Sequence, residues 1–249
     1  MVKISGVVIT YNEEKHIEAL IKNLDFVDEI LFIDSFSTDN TTKILENYPS
    51  VNFIQHRFEN FASQRNFAIS KACGEWILFL DADERISTEL RNEILTIINK
   101  PSKPVAYKIP RKFYINNKPI NFSGLQTDYI FRLFKKGEAF YDENKYVHEQ
   151  LNFSGDFGLL NAYIKHYTYK NFSDYKNKTI FYANLKAKEL VDSKKQFSYF
   201  KLILKPLYKF FYNYIFRLGF LDGKQGFIIC YLNAYGVYIR YKKLKDLTS

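Results

Sequence analysis

Between Glu75 and Arg85 the chain reads Glu-Trp-Ile-Leu-Phe-Leu-Asp-Ala-Asp-Glu-Arg, a short apolar run that ends on two carboxylates two positions apart. A short run that is apolar at every position fits a central parallel strand, buried on both faces, better than a half-exposed one. Residues 76–80 are therefore expected to be such a strand, with Asp81 and Asp83 where it ends. In an open α/β sheet, ligands bind beyond the carboxyl ends of the strands. Two carboxylates at that place suit Mg²⁺ or Mn²⁺, a hard cation held by one or two protein carboxylates and completed by phosphate oxygens. They also suit a plain capped turn that opens a helix over 88–99.

The same punctuation recurs upstream. Residues 3–11 form a first expected strand, followed by Ile17, Leu20, Ile21 and Leu24 at helical spacing. Glu29–Asp34 is again apolar until it ends on an aspartate, and the polar 35–42 stretch opens a helix capped by Thr38, Asp39 or Asn40. A short strand over 51–56 and a helix over 60–72, carrying Gln64-Arg65-Asn66, complete the series. Alternating strands and helices of this kind predict a parallel sheet wound with right-handed crossovers. No Gly-x-Gly-x-x-Gly follows the first strand and no Gly-x-x-x-x-Gly-Lys-Ser/Thr occurs, so dinucleotide and P-loop sites are excluded. Acid stands at the strand ends instead, as Glu13, Asp34, Asp81 and Asp83.

Pro101 and Pro104 break the alternation, and short strands are expected over 106–114, Tyr129–Lys135 and 138–141. A further strand over 159–169 ends near His166, and 172–195 reads as helix. Beyond it Lys201, Lys205, Lys209 and Arg217 fall on one i, i+4 row among bulky apolar residues, with Asn213 in the gap. A second apolar stretch spans 227–239, and basic charge closes it over 241–245. Neither run reaches the roughly 18–20 uncharged apolar residues of a spanning helix. Interfacial helices with a basic face are the better expectation, against an ordinary helical pair with solvated lysines. The net charge of +9 calls for nucleic acid, an anionic membrane or a phosphorylated substrate as partner. Acids at the strand ends and lysines among aliphatics argue against nucleic acid. Cys73 and Cys230 lie far apart without metal-ligand spacing, and Met1-Val2-Lys3 runs straight into a strand pattern. Both features lead us to expect a cytoplasmic protein with reduced, buried thiols.

Taken together, the strand ends resemble glycosyltransferase family 2, the inverting sugar-nucleotide transferases of the GT-A fold. The matching motifs are Val8-Ile9-Thr10-Tyr11-Asn12-Glu13-Glu14, Asp34-Ser35-Phe36-Ser37-Thr38-Asp39-Asn40-Thr41, Phe61-Ala62-Ser63-Gln64-Arg65-Asn66 and Leu80-Asp81-Ala82-Asp83-Glu84. Gln64-Arg65-Asn66, Val147-His148-Glu149 and Gly219-Phe220-Leu221-Asp222-Gly223 resemble the branch of lipopolysaccharide core β-1,4-glucosyltransferases. The chain lacks the Glu-Asp pair in which many members place the catalytic acid, so the base must be sought elsewhere. It also lacks Gln-x-x-Arg-Trp, which argues against a processive polysaccharide synthase.

The resemblance implies an α/β, GT-A (Rossmann-like), mostly parallel sheet with flanking helices over 1–170, followed by a C-terminal amphipathic helical appendage over 171–249. Residues 1–100 would bind the nucleotide-sugar, 101–170 the acceptor, and 171–249 the membrane. It assigns Asp34 to the uracil or ribose of a UDP-sugar, and the turn of Thr10, Tyr11, Asn12 and Glu13 to the same nucleotide, with Ser35 and Ala82 carried in those motifs. Arg65, near a helix start, could reach the diphosphate. Asp83 is the principal metal ligand, Asp81 touches the ribose or the metal, and His166 is a further ligand. Glu149, beside His148, is the expected base, with Asp128 as its alternative. The expected activity is transfer of a hexose, glucose first, from a UDP-sugar to a lipopolysaccharide-core or other lipid-linked saccharide. It would occur on the inner face of the plasma membrane, with a homo-oligomer left open. Another nucleotide-sugar in capsule or glycoconjugate synthesis, or a non-catalytic membrane-associated nucleotide-binding protein, are the alternatives.

Overall fold

A computed structural model describes residues 3–100, 103–142, 150–169 and 171–248. The alternation expected from the sequence is present: β1 (Ile4–Thr10), α1 (Glu14–Asn23), β2 (Glu29–Asp34), α2 (Thr41–Glu46), β3 (Val51–Gln55), α3 (Phe61–Lys71) and β4 (Trp76–Asp81). Next come β5 (Glu84–Ile86), α4 (Thr88–Ile98), β6 (Ala106–Ile115), β7 (Lys118–Ile120), β8 (Tyr129–Lys135) and β9 (Ala139–Tyr141). The chain continues with β10 (Leu151–Phe153), β11 (Phe157–Leu159), β12 (Ile164–Tyr169), α5 (Phe172–Asp192), α6 (Tyr199–Phe211) and α7 (Gly223–Thr248).

The chain divides into two compact units, Met1–Arg111 with Tyr129–His166, and Lys112–Asp128 with Tyr167–Ser249. The first unit holds the parallel sheet, ordered β3-β2-β1-β4, with β8 antiparallel to β4 and β6 antiparallel to β8. Strands β1, β2 and β4 are buried nearly throughout because both faces are covered, as expected for parallel strands. Val8, Phe32, Leu78 and Leu80 pack with Ile17 and Leu20 of α1, Leu45 of α2, and Leu90 and Ile94 of α4. The alternate residues Val7, Leu31, Ile33, Ile77 and Phe79 pack with Ala62, Ala68 and Ile69 of α3 and with Tyr141 and Leu151.

Asp81 and Asp83 do not cap a helix. The chain turns after β4 into β5, and α4 is capped by Ser87, whose Oγ accepts from the Leu90 N–H at 3.2 Å. The strand expected over 159–169 is two strands, β11 and β12. The carboxylate of Glu93 breaks it by accepting from the backbone N–H groups of Asn161 at 3.1 Å and Ala162 at 3.0 Å.

The second unit differs in membership from a cut at residue 170, since 112–128 groups with the helices. The reason is packing: Ile115 and Ile120 share a core with Tyr175 of α5 and with Ile229 and Leu232 of α7. The carboxylate of Asp222 accepts from the N–H groups of Asn121 (3.0 Å) and Phe122 (2.9 Å) and from Ser123 Oγ (2.8 Å). Tyr175 donates to Asn233 Oδ1 at 2.8 Å, and burial pushes its hydroxyl pKa up. After α6 the backbone continues as a π-helical turn, Tyr212–Phe216, which places Asn213 inside the unit and interrupts the expected row of cations. Of the two cysteines expected to be buried, Cys230 is and Cys73, in the loop before β4, is exposed. Among the described residues no helix is long and apolar enough to cross a membrane.

Candidate active site

Register builds the site. The parallel pairing sets Thr10 opposite Asp34 and Ile9 opposite Asp81, so the last residues of β1, β2 and β4 share one sheet edge. Each of these strands stops there because its apolar run gives way to a polar residue.

The turn after β1 is laced to the loop after β2. Asn12, at φ +57°, accepts through Oδ1 from the Thr38 N–H at 2.7 Å, and its own N–H donates to Ser37 Oγ at 2.9 Å. The Glu13 N–H donates to Thr41 Oγ1 at 2.9 Å. Asp34 is buried and accepts from Ser37 N–H (3.0 Å), Ser37 Oγ and Gln55 Nε2 (3.2 Å). Ser35 Oγ accepts from Gln64 Nε2 at 3.1 Å, which ties this loop to α3. Tyr11 and Phe36 stand exposed on these turns, Phe36 at φ +60°, while Thr10 Oγ1 is buried without a hydrogen-bond partner among the described residues.

Around β4 the charges are paired. Asp81 meets Arg132 Nη2 at Oδ2 and lies 3.4 Å from Arg65 Nη2 at Oδ1. Burial by itself would raise the Asp81 pKa, but Arg132 and Arg65 hold the carboxyl well below the usual range. The Arg65 guanidinium sits 5.3–5.8 Å from the ring centroids of Phe61, Phe79 and Tyr141, a cation–π setting. Arg132 Nη2 also donates to Glu84 Oε1 at 2.9 Å, and Arg111 reaches the same oxygen at 3.4 Å. Glu84 Oε2 accepts from the Asp81 N–H at 3.1 Å, closing the turn. Burial works against the Arg132 charge, yet Asp81 and Glu84 push its pKa upward. Arg85 bolts the turn down, donating to the carbonyls of Ala82 (2.7 Å) and His16 (2.7 Å).

Asp83 turns the other way. Antiparallel pairing of β12 with β5 sets His166 opposite Glu84 and brings its Nε2 to 3.3 Å from Asp83 Oδ1. Burial tends to raise the Asp83 pKa, and the hydrogen bond to His166 with the attraction of its charge and that of His16 together outweigh it, so the carboxyl stays below its ordinary value. Asp83 supplies one carboxylate and His166 one imidazole, two of the ligands that a divalent cation would need. Asp81, facing two guanidiniums, does not complete a three-residue cage, and among the described residues no group of three or more His, Cys, Asp or Glu could hold a metal alone.

The structure thus brings together Thr10, Asp34, Ser35, Arg65, Asp81, Ala82, Asp83 and His166 within the first unit. Glu149 and His148 lie outside the described residues. Asp128 precedes β8 and belongs to the second unit. Sequence reasoning missed Arg132, Glu84 and Arg111 as a buried network. One signal was available: Tyr-Ile-Phe-Arg-Leu-Phe over 129–134 sets a lone cation inside an apolar strand, which calls for a buried partner.

The sequence model described as Glycosyl transferase family 2 matches residues 5–172. An uncharacterised glycosyltransferase of Rickettsia felis is 31% identical, with 99% of this chain and 90% of that protein covered. The lipopolysaccharide core biosynthesis glycosyltransferase LpsC of Rhizobium meliloti is 26% identical over 96% of this chain and 93% of its own. Among solved structures, S. aureus TarS 1–349 in complex with UDP is similar at a TM-score of 0.48 and 17% identity, covering 99% of this chain and 91% of that one. By the match over residues 5–172 and the Rickettsia felis relative, this α/β chain is a glycosyltransferase that belongs to glycosyl transferase family 2.

Proposed function

We propose that the chain transfers a hexose from a UDP-sugar to a lipid-linked saccharide, with inversion at the anomeric carbon. UDP-glucose is the first donor to try. The observation that carries the reading is the set of groups at one sheet edge: Asp34 with the Asn12 turn, the Arg65–Asp81 pair, and the Asp83–His166 pair. Asp34 is buried with its carboxylate oriented by Ser37 and Gln55, and by the family resemblance it takes a uracil N–H or a ribose hydroxyl. Tyr11 and Phe36 provide exposed rings beside that point. Arg65 supplies positive charge for a diphosphate, and the rings around it fix its direction.

Asp83 and His166 would hold a divalent cation, with Asp81 turned to the arginines and to the ribose. Such a cation, when bound, neutralises charge on the departing diphosphate. In a single displacement the acceptor hydroxyl oxygen forms its bond to the anomeric carbon as the bond to the diphosphate oxygen breaks, and the hydroxyl proton passes to a base. We assign that base to Glu149. The name of the LpsC relative supports a lipopolysaccharide-core acceptor. The helical unit supports a peripheral position on the inner membrane face, where such an acceptor resides.

Calorimetric titration with UDP, with and without Mn²⁺, tests the reading. Metal-enhanced binding that Asp83→Ala abolishes and Glu149→Gln preserves is the expected result. Equal UDP binding by Asp83→Ala would remove the metal assignment, and no binding under any condition would remove the uridine donor.

A further inference from the structure

The helix α6 carries its apolar residues on the wrong side for a packed helix. Phe200, Ile203, Leu204, Leu207, Tyr208 and Phe211 recur at helical spacing, and every one of them is exposed, Phe200 at 72% and Ile203 at 60%. No residue of α6 is buried. Ile215 and Phe216, the latter 74% exposed, extend the same stripe through the following turn. An apolar stripe of this length is normally what a helix hides.

Charge identifies what covers it. Between residues 193 and 221 the chain has Lys194, Lys195, Lys201, Lys205, Lys209 and Arg217 and no acidic residue. A second copy of the chain is a poor cover, because a twofold contact would set this block of cations against itself. At the amino end of α6, Lys194, Lys195, Gln196, Phe197, Tyr199 and Lys245 line an open pocket of about 600 Å³. Lys245 lies 5.0 Å from the Tyr199 ring centroid, which holds its ammonium at the pocket wall. The nearest acids in sequence, Asp192 and Asp246, are exposed and do not line it.

We propose that α6 lies in the interface of an anionic bilayer, its apolar stripe among the acyl chains and the Lys194–Lys195–Lys245 pocket on a lipid phosphate. The proposal rests on the membrane-surface reading above and adds the lipid charge, the inserting face and the phosphate site. Basic residues beside an inserted amphipathic helix favour anionic headgroups, and the attraction weakens with salt.

Co-sedimentation of the full chain with vesicles tests this, using phosphatidylcholine alone and phosphatidylcholine mixed with phosphatidylglycerol. The expected result is a strong preference for the anionic vesicles that fades as salt rises. Replacing both Lys194 and Lys195 by Gln should weaken partitioning on the order of 30-fold, with UDP binding unchanged. Phe200→Ser with Phe211→Ser should abolish binding to either vesicle. Equal binding to both vesicle types, or a lysine variant that binds like wild type, would overturn the anionic site and leave the membrane reading standing. No binding to any vesicle would remove both. A dimer dissolved by the phenylalanine substitutions would assign the stripe to a second copy and overturn the proposal.

Discussion

Arg132 holds one positive charge between two carboxylates while its side chain is 1% exposed, and Glu84 beside it is fully buried. Removing one member of such a set leaves an uncompensated charge away from water, which costs more than the ion pair contributes. Arg132→Met should therefore destabilise the fold by about 3–5 kcal/mol in urea unfolding, and adding Glu84→Gln should recover part of the loss. A loss under about 1 kcal/mol would mean that the network relaxes to solvent. Asp81 gives the same network a pH signature. Its pKa is depressed in the fold, so its stabilisation is present above the unfolded value near 3.9 and is lost as pH falls toward the folded value. The stability gap between wild type and Asp81→Asn should narrow as pH drops below about 4, and a gap that widens there would reverse the assignment. Asp34, Asp81 and Asp83 were legible because each interrupts an apolar run where a strand stops. Arg132 stands out only as a lone cation in an apolar strand, and its partners are not legible, since they are 48 and 51 residues away and nothing local marks them.

Elements show the same division between local and distant causes. The strands β1, β2 and β4 and the helices α1, α3 and α4 follow from apolar periodicity that any short window contains. β5 has three residues and no apolar run, and exists because β12 pairs with it. The Gly219–Asp222 turn was legible only as a motif, and its role is mechanical. There Asp222 holds the 121–123 backbone, and α7 approaches so closely that a Cβ on Gly226 would stand 1.9 Å from the Gly219 carbonyl oxygen. A backbone oxygen cannot step aside as a side-chain tip can. Gly226→Ala should therefore lower stability by about 1–3 kcal/mol, as overpacking does, and speed amide exchange at Phe122 and Ser123. Unchanged exchange at those amides would separate the turn from α7.

At the scale of the whole molecule, the chain passes between its two compact units at residues 111–112, 128–129 and 166–167. A boundary at residue 170 follows naturally from the sequence, because strand patterns end and helical ones begin there. It overlooks that Ile115 and Ile120 complete a core with Tyr175, Ile229 and Leu232, and that Phe122 is tied to Asp222 across 100 positions of sequence. A chain ending at 170 would keep the glycosyltransferase strands but leave the β6–β7 hairpin without its apolar partners and without its acceptor for three donors. Such a truncation should be insoluble or bind a hydrophobic dye strongly, with no cooperative thermal transition, whereas the full chain melts cooperatively. A soluble 1–170 fragment that binds UDP with the affinity of the whole protein would show that the first unit folds by itself. For the same reason, removal of α6 and α7 is a poor probe of membrane attachment. It takes away Asp222, Ile229 and Leu232 together with the exposed stripe, so loss of fold and loss of docking coincide. Point substitutions on Phe200 and Phe211, whose side chains are exposed, separate the two.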